Sequence, residues 1–204
     1  MKKVLFFVAG IALMGLFSAC NQQPKEQEET TEAMNTDFLT LAAERFSVRH
    51  FSDKPVEQEK LDKILEAGKL APTAVNSQPQ KIYVIQSPEV LEKVNKLSPC
   101  IYGAPQVFLF CYDDNNVCPR GENDNYGDID VTIVLTHMML EAWNLGIGTC
   151  PVGYFDQKEL AKSLELPSNI HPVLLMPFGY AADDAAPSEK HSTFRPMEEM
   201  VEYI

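Results

Sequence analysis

Arg45-Phe46-Ser47-Val48-Arg49-His50-Phe51 is followed, after one helix-length of chain, by Ala71-Pro72-Thr73-Ala74-Val75-Asn76-Ser77-Gln78-Pro79. If the first stretch runs extended, side chains at i, i+2 and i+4 share a side, so Arg45, Ser47 and Arg49 converge while Phe46 and Val48 point the other way. Two guanidinium forks and a hydroxyl form a clamp for phosphate. Arg suits it because planar donors match phosphate oxygens in pairs, and Ser adds a neutral donor where a third cation would crowd. The second stretch is poor in charge and rich in turn formers. Pro72 and Pro79 bracket a segment that cannot be continuous helix, which frees Asn76, Ser77 and Gln78 to offer amide and hydroxyl groups to a ring edge bearing carbonyls and nitrogens.

In this order, the two stretches resemble the FMN-dependent nitroreductase family. Its opening motif is Arg-x-Ser-x-Arg/Lys-x-aromatic, followed by a helix and an Ala-Pro-Ser-x-x-Asn-x-Gln-Pro loop. The intervening Val56 to Leu70 carries Leu61, Ile64, Leu65 and Leu70 at helical spacing, as that order requires. The resemblance implies an α+β fold with a mixed central sheet flanked by helices, and a homodimer with flavin at its interface. It also implies an FMN site that uses Arg45, Phe46, Ser47 and Arg49 together with Pro72, Thr73, Ala74, Asn76 and Gln78.

Further along, Gly146-Ile147-Gly148-Thr149-Cys150-Pro151-Val152-Gly153-Tyr154-Phe155 is not a dinucleotide fingerprint. It lacks the third glycine and leaves a helix instead of joining strand to helix. Gly146 and Gly148 read equally well as a helix stop and strand start. The resemblance implies that Pro151, Val152 and Gly153 run against the flavin ring. A glycine at 153 would let main-chain N–H approach N5 with no Cβ in the way. Near the end, Lys190-His191-Ser192-Thr193-Phe194-Arg195-Pro196 resembles the family's closing basic segment, which implies a phosphate role for Arg195. Thr193 stands where many members carry lysine, so the pocket has one cation fewer unless Lys190 reaches in. Phe46, Ala74 and Gln80 also depart from the family pattern and bear on substrate choice.

The chain opens on a different signal. Lys2 and Lys3 precede an apolar run from Val4 to Phe17. Those fourteen residues would span as helix only about 21 Å of a roughly 30 Å hydrocarbon core. Leu16-Phe17-Ser18-Ala19-Cys20 then resembles a bacterial lipoprotein signal, with residues 1–19 removed and Cys20 lipidated. The alternative is an ordinary secretory signal with an incidental cysteine. Either places the protein outside the cytoplasm. Residues 20–36, rich in Gln and Glu without apolar period, read as an acidic tether whose reach is roughly 20 Å, leaving one domain over 37–204.

A formal charge of −12 argues against nucleic-acid partners, because that affinity comes largely from Lys and Arg neutralising phosphates. No metal pattern emerges from Cys100, Cys111, Cys118 and Cys150 or from His50, His137, His171 and His191. An extracytoplasmic setting permits disulfides among the four cysteines, Cys100–Cys118 being one pairing, but one sequence does not fix connectivity. Cys111, in an apolar run, reads as a buried hydrophobe. The acidic stretch from Asp113 to Asp128 fails calcium-loop spacing and reads as a solvated loop.

Helices are expected from Phe38 capped by Thr36 or Asp37, over Pro88 to Leu97, over Ile129 to Leu145 and from Asp156 to about Leu164. Strands are expected over Lys81 to Gln86, Gln106 to Tyr112 and Pro172 to Tyr180. The Ile129–Leu145 helix is apolar almost all round, more than a small domain encloses, which points to a second subunit. The resulting expectation is an FMN-dependent oxidoreductase reducing nitro compounds or quinones in two-electron, ping-pong fashion, its donor NAD(P)H or another carrier outside the cytoplasm. No side chain is nominated as a catalytic acid. The alternatives are a flavin oxidase, dehydrogenase or reductive dehalogenase on a small aromatic or heterocycle, or a membrane-anchored flavin electron-transfer protein.

Overall fold

The computed structural model describes residues 37–204. The expected signal over 1–19, Cys20 and the tether over 20–36 lie outside the described residues. Helix α1 spans Phe38–Glu44, and the Asp37 carboxylate accepts from the backbone N–H of Leu39 and Thr40, satisfying donors that a first turn leaves orphaned. Helix α2 covers Gln58–Lys69 and α3 covers Pro88–Leu97, where Pro88 occupies the position at which a missing N–H costs nothing. Strands β1 (Gln80–Ile85) and β2 (Gln106–Asp113), helix α4 (Gly127–Asn144), strand β3 (Gly148–Thr149), helix α5 (Gln157–Ser163) and strand β4 (Ile170–Gly179) complete the chain order.

The sheet runs β1-β2-β4-β3 with every strand pairing antiparallel. Its parallel component is one bridge from Ser47, which lies outside the named strands, to Thr149 of β3. β2 is central and buried on both faces, which explains its unbroken apolar sequence. Phe108 and Phe110 face α2 and α4, with Phe108 stacked on Phe178 at a centroid distance of 4.0 Å. Val107, Leu109 and Cys111 face α3 and α5. Burial pushes the Cys111 thiol up to about 12, as expected of a cysteine acting as a hydrophobe.

Two glycines set how closely layers approach. A Cβ on Gly68 would lie 2.7 Å from Met138, so its absence lets α2 cross tightly over α4. A Cβ on Gly148 would lie 2.5 Å from Val48, so β3 and the Arg45–Phe51 segment can touch only through a glycine. α4 is not enclosed: Val131, Val134, Leu135, Met138 and Ala142 are buried, whereas Ile129, Thr132, Thr136 and His137 are exposed and Ile133 and Leu140 half-buried. All four described cysteines are free thiols, so the Cys100–Cys118 pairing is not formed.

Candidate functional site

The Arg45–Phe51 segment is extended but is not a ladder strand. Only Ser47 and Phe51 make bridges, to Thr149 and Ala181, and the Val48 N–H donates to the Thr149 carbonyl at 2.9 Å. Val48 is wholly buried and anchors the segment. Arg45, Phe46, Ser47 and Arg49 line a 130 Å³ recess closed on its other side by Ser188, Lys190 and His191. Phe46 therefore joins the recess instead of facing away. Without continuous pairing the alternation relaxes, and its ring packs edge-on against Trp143 at 5.1 Å and against His191 at 6.3 Å.

Lys190 thus comes to the clamp, and Arg195 does not. The Arg195 guanidinium bonds Glu199 through both its carboxylate and its carbonyl, one helical turn on. His191, which belongs to no metal pattern in the sequence, lies at the recess with Nε2 3.1 Å from the Ala43 carbonyl oxygen. Beneath the clamp lies Cys150. Burial pushes its thiol up, against the opposing pull of the Ser47 hydroxyl and the Arg49 guanidinium. Tyr102 is raised by burial first and then by its hydrogen bond with Cys100.

The Pro72–Gln78 loop is a separate construction. Ala74–Asn76 forms one 3₁₀ turn, with Val75, Asn76 and Gln78 at φ of 47°, 57° and 49°. Three non-glycine residues in the left-handed region within four positions is costly, most of all at β-branched Val75, which sequence analysis passed over. The loop is held by the Gln78 N–H on Thr73 Oγ1 at 3.0 Å and by the Ala74 N–H on Asp130 Oδ1 at 2.9 Å. Pro72, Asn76 and Gln78 are exposed, Thr73 and Ala74 half-buried. None of them lines the recess of the clamp.

Pro151, Val152 and Gly153 continue from β3 and so follow the strand that holds Ser47. Val152 is buried, and its N–H and C=O are both bonded to Leu175. Gly153 is exposed, and a Cβ there would meet Leu174 at an ordinary 3.6 Å, so packing within the chain does not demand glycine. A larger cavity of 560 Å³ lies along β1, α3 and the end of α5 and shares no residue with the clamp. Among the described residues no cluster of His, Cys, Asp and Glu could hold a metal ion.

The geometry is that of an α+β protein with a cationic recess at one end of a short antiparallel sheet and a strained polar loop following α2. The chain matches the Nitroreductase family over residues 42–101 and 95–180, and it belongs to that family. The FMN reductase [NAD(P)H] of Bacillus subtilis is 33% identical over 172 residues, covering 75% of this chain and 69% of that protein. A putative NADH dehydrogenase/NAD(P)H nitroreductase of Methanothermobacter thermautotrophicus is 27% identical over 155 residues, covering 72% and 79%. The crystal structure of a nitroreductase family protein from Clostridium difficile superposes with a TM-score of 0.77 at 38% identity, covering 82% of this chain and 98% of that one.

Proposed function

We propose that the protein is an FMN-dependent oxidoreductase that takes electrons from NAD(P)H and passes them in pairs to small aromatic acceptors such as nitro compounds or quinones. The observation that carries this reading is the recess gathering Arg45, Ser47, Arg49 and Lys190. Three cations and a hydroxyl on a polar floor match a phosphate monoester, and fully matched charge-assisted bonds are the strong ones. The relatives named above supply the flavin and the nicotinamide donor as the chemistry to test.

Bound FMN would supply two-electron transfer between donor and acceptor. This chain's residues bind and orient. Arg45, Ser47, Arg49 and Lys190 hold the phosphate, with Arg195 available only if it leaves Glu199. Phe46, braced by Trp143, covers the recess on its apolar side. Exposed Gly153 keeps the backbone free of a side chain where a ring would lie, and Asn76 and Gln78 present amides. Donor and acceptor using one face in turn would give ping-pong kinetics.

A homodimer would cover surface that a lone subunit leaves wet. The Ile129, Ile133 and Leu140 strip on α4 and the exposed apolar side chains of Phe194, Met197, Met200, Val201, Tyr203 and Ile204 exceed scattered surface hydrophobes. The N-terminal signal would place this dimer outside the cytoplasm on a bacterial membrane, held through Cys20. The purified protein should show flavin absorbance, release FMN on denaturation, and bleach with NADH or NADPH until a nitroaromatic or quinone is added. Protein that takes up no flavin overturns the reading, and bleaching only by a quinol or a membrane fraction turns it to electron transfer.

A further inference from the structure

Asp130 lies in the first turn of α4 and is 2% exposed. Its Oδ1 accepts the Ala74 N–H at 2.9 Å, and its Oδ2 is buried with no partner. A buried carboxylate with half its capacity unused is expensive, and such groups in a native fold call for an explanation. The helix N-terminus offsets part of that cost. What the carboxylate holds is the opening residue of the turn in which Val75 and Asn76 are forced to positive φ, followed by Gln78. Strain of this kind persists only where the surroundings impose it. The hydrogen bonds that do so are the turn's own backbone bonds, Thr73 Oγ1 on the Gln78 N–H, the Gln78 Nε2 donating to the Asn76 carbonyl at 3.4 Å, and Asp130, which alone of these ties the loop to a packed helix.

We propose that Asp130 is a positioning residue that tethers the Thr73–Gln78 loop to α4 so that Asn76 and Gln78 meet the flavin ring already in their bound conformation. The proposal rests on the flavin reading above and goes beyond it, because Asp130 itself touches neither ring nor phosphate. An ordered loop loses less freedom when it binds, which is how preorganisation raises affinity. With Asp130 only 2% exposed, little water reaches the carboxylate to compete for the bond. Asparagine can offer the same oxygen to Ala74; alanine cannot.

The test compares wild type, Asp130→Ala and Asp130→Asn as full chains, reading FMN and riboflavin affinity, the visible spectrum and midpoint potential of bound FMN, and amide exchange at residues 73–78. Asp130→Ala should weaken FMN about tenfold and riboflavin by the same factor, shift the spectrum and potential, and speed exchange of the Ala74 amide. Asp130→Asn should restore all of these, which general destabilisation would not do. If Asp130→Ala does not fold, Asp130→Asn and exchange at Ala74 in the wild type carry the test. An Ala74 amide exchanging as fast as an unstructured one overturns the tether. A wild-type spectrum and potential in Asp130→Ala also overturn it and leave FMN binding by the wild type intact. Wild type without FMN binding removes the flavin reading and the tether together.

Discussion

Val48 occupies the volume that a side chain at Gly148 would need, its Cγ2 lying 2.5 Å from where that Cβ would be built. The contact joins the residue between Ser47 and Arg49 to the strand leading to Gly153. Val48 is β-branched and wholly buried, so it has no rotamer into which to retreat. Gly148→Ala should therefore push the clamp segment off β3, costing about 1–3 kcal/mol of stability. For a domain of this size that lowers the melting temperature by roughly 2–4 °C per kcal/mol. Calorimetry with flavin retention as the second readout checks it, and a fully stable, fully flavinated variant would show that the contact relaxes freely.

The cations of the recess can be ranked. Arg49→Ala should cost about 1.5–3 kcal/mol, roughly tenfold to over a hundredfold in FMN affinity, and Lys190→Ala should weaken binding measurably as well. Arg195→Ala should matter least, because its guanidinium is engaged by Glu199. Titration by flavin fluorescence decides the order, with riboflavin as control. Riboflavin binding as tightly as FMN would dispose of the phosphate clamp.

Loop and clamp share no recess within one chain, which fits a flavin site assembled from two. At a flavin concentration low enough that Arg49→Ala and Asn76→Ala each stay empty alone, the two should then complement when co-refolded. A mixed dimer holds one doubly damaged site and one wholly wild-type site, so up to half of normal flavin content should return. No recovery in a verified heterodimer would place Arg49 and Asn76 at the same flavin in the same chain.

Cys111 has a folded-state pKa of about 12, raised by burial, against about 8.5 for an unfolded thiol. Staying protonated stabilises the fold below the unfolded value. Above it the unfolded chain releases a proton the native one keeps, so this contribution falls as pH rises from about 8.5 towards 12. Denaturant melts at rising pH should lose stability more steeply in wild type than in Cys111→Val. At pH 8, mass spectrometry after brief alkylation should find half-buried Cys118 modified ahead of Cys111.

Lipid anchoring through Cys20 predicts that wild type pellets with membranes and Cys20→Ala does not. Equal release of both into the soluble fraction would sink the anchor.

Elements whose cause is local were legible in the sequence. Asp37 starts α1 and Pro88 starts α3 at the expected residues, and the apolar run of β2 reads as a strand buried on both faces. The stretch after Gly146 was less so. Pro151 brings no N–H, so pairing there shrinks to two-residue β3 and a lone bridge at Val152. The clamp triad was readable because period-two spacing is short-ranged. Lys190 against Arg195 was not: Arg195 finds Glu199 one turn away, and a long side chain's choice of partner is tertiary. Positive φ at Val75 contradicts the preference of a β-branched residue and has no signal in its own sequence.

The recess draws on Arg45 to Arg49 and on Ser188 to His191, ends of the domain that meet where His191 approaches the Ala43 carbonyl across 148 positions. No shortened product of translation that stops before Ser188 can contain it. Loading must therefore wait until Ser188 to His191 have been made and have folded back onto the clamp, and a chain threaded unfolded across a membrane would arrive on the far side without a pocket to carry a cofactor through. It would have to find its flavin there, which makes the supply of FMN in that compartment as decisive for activity as any residue of the site.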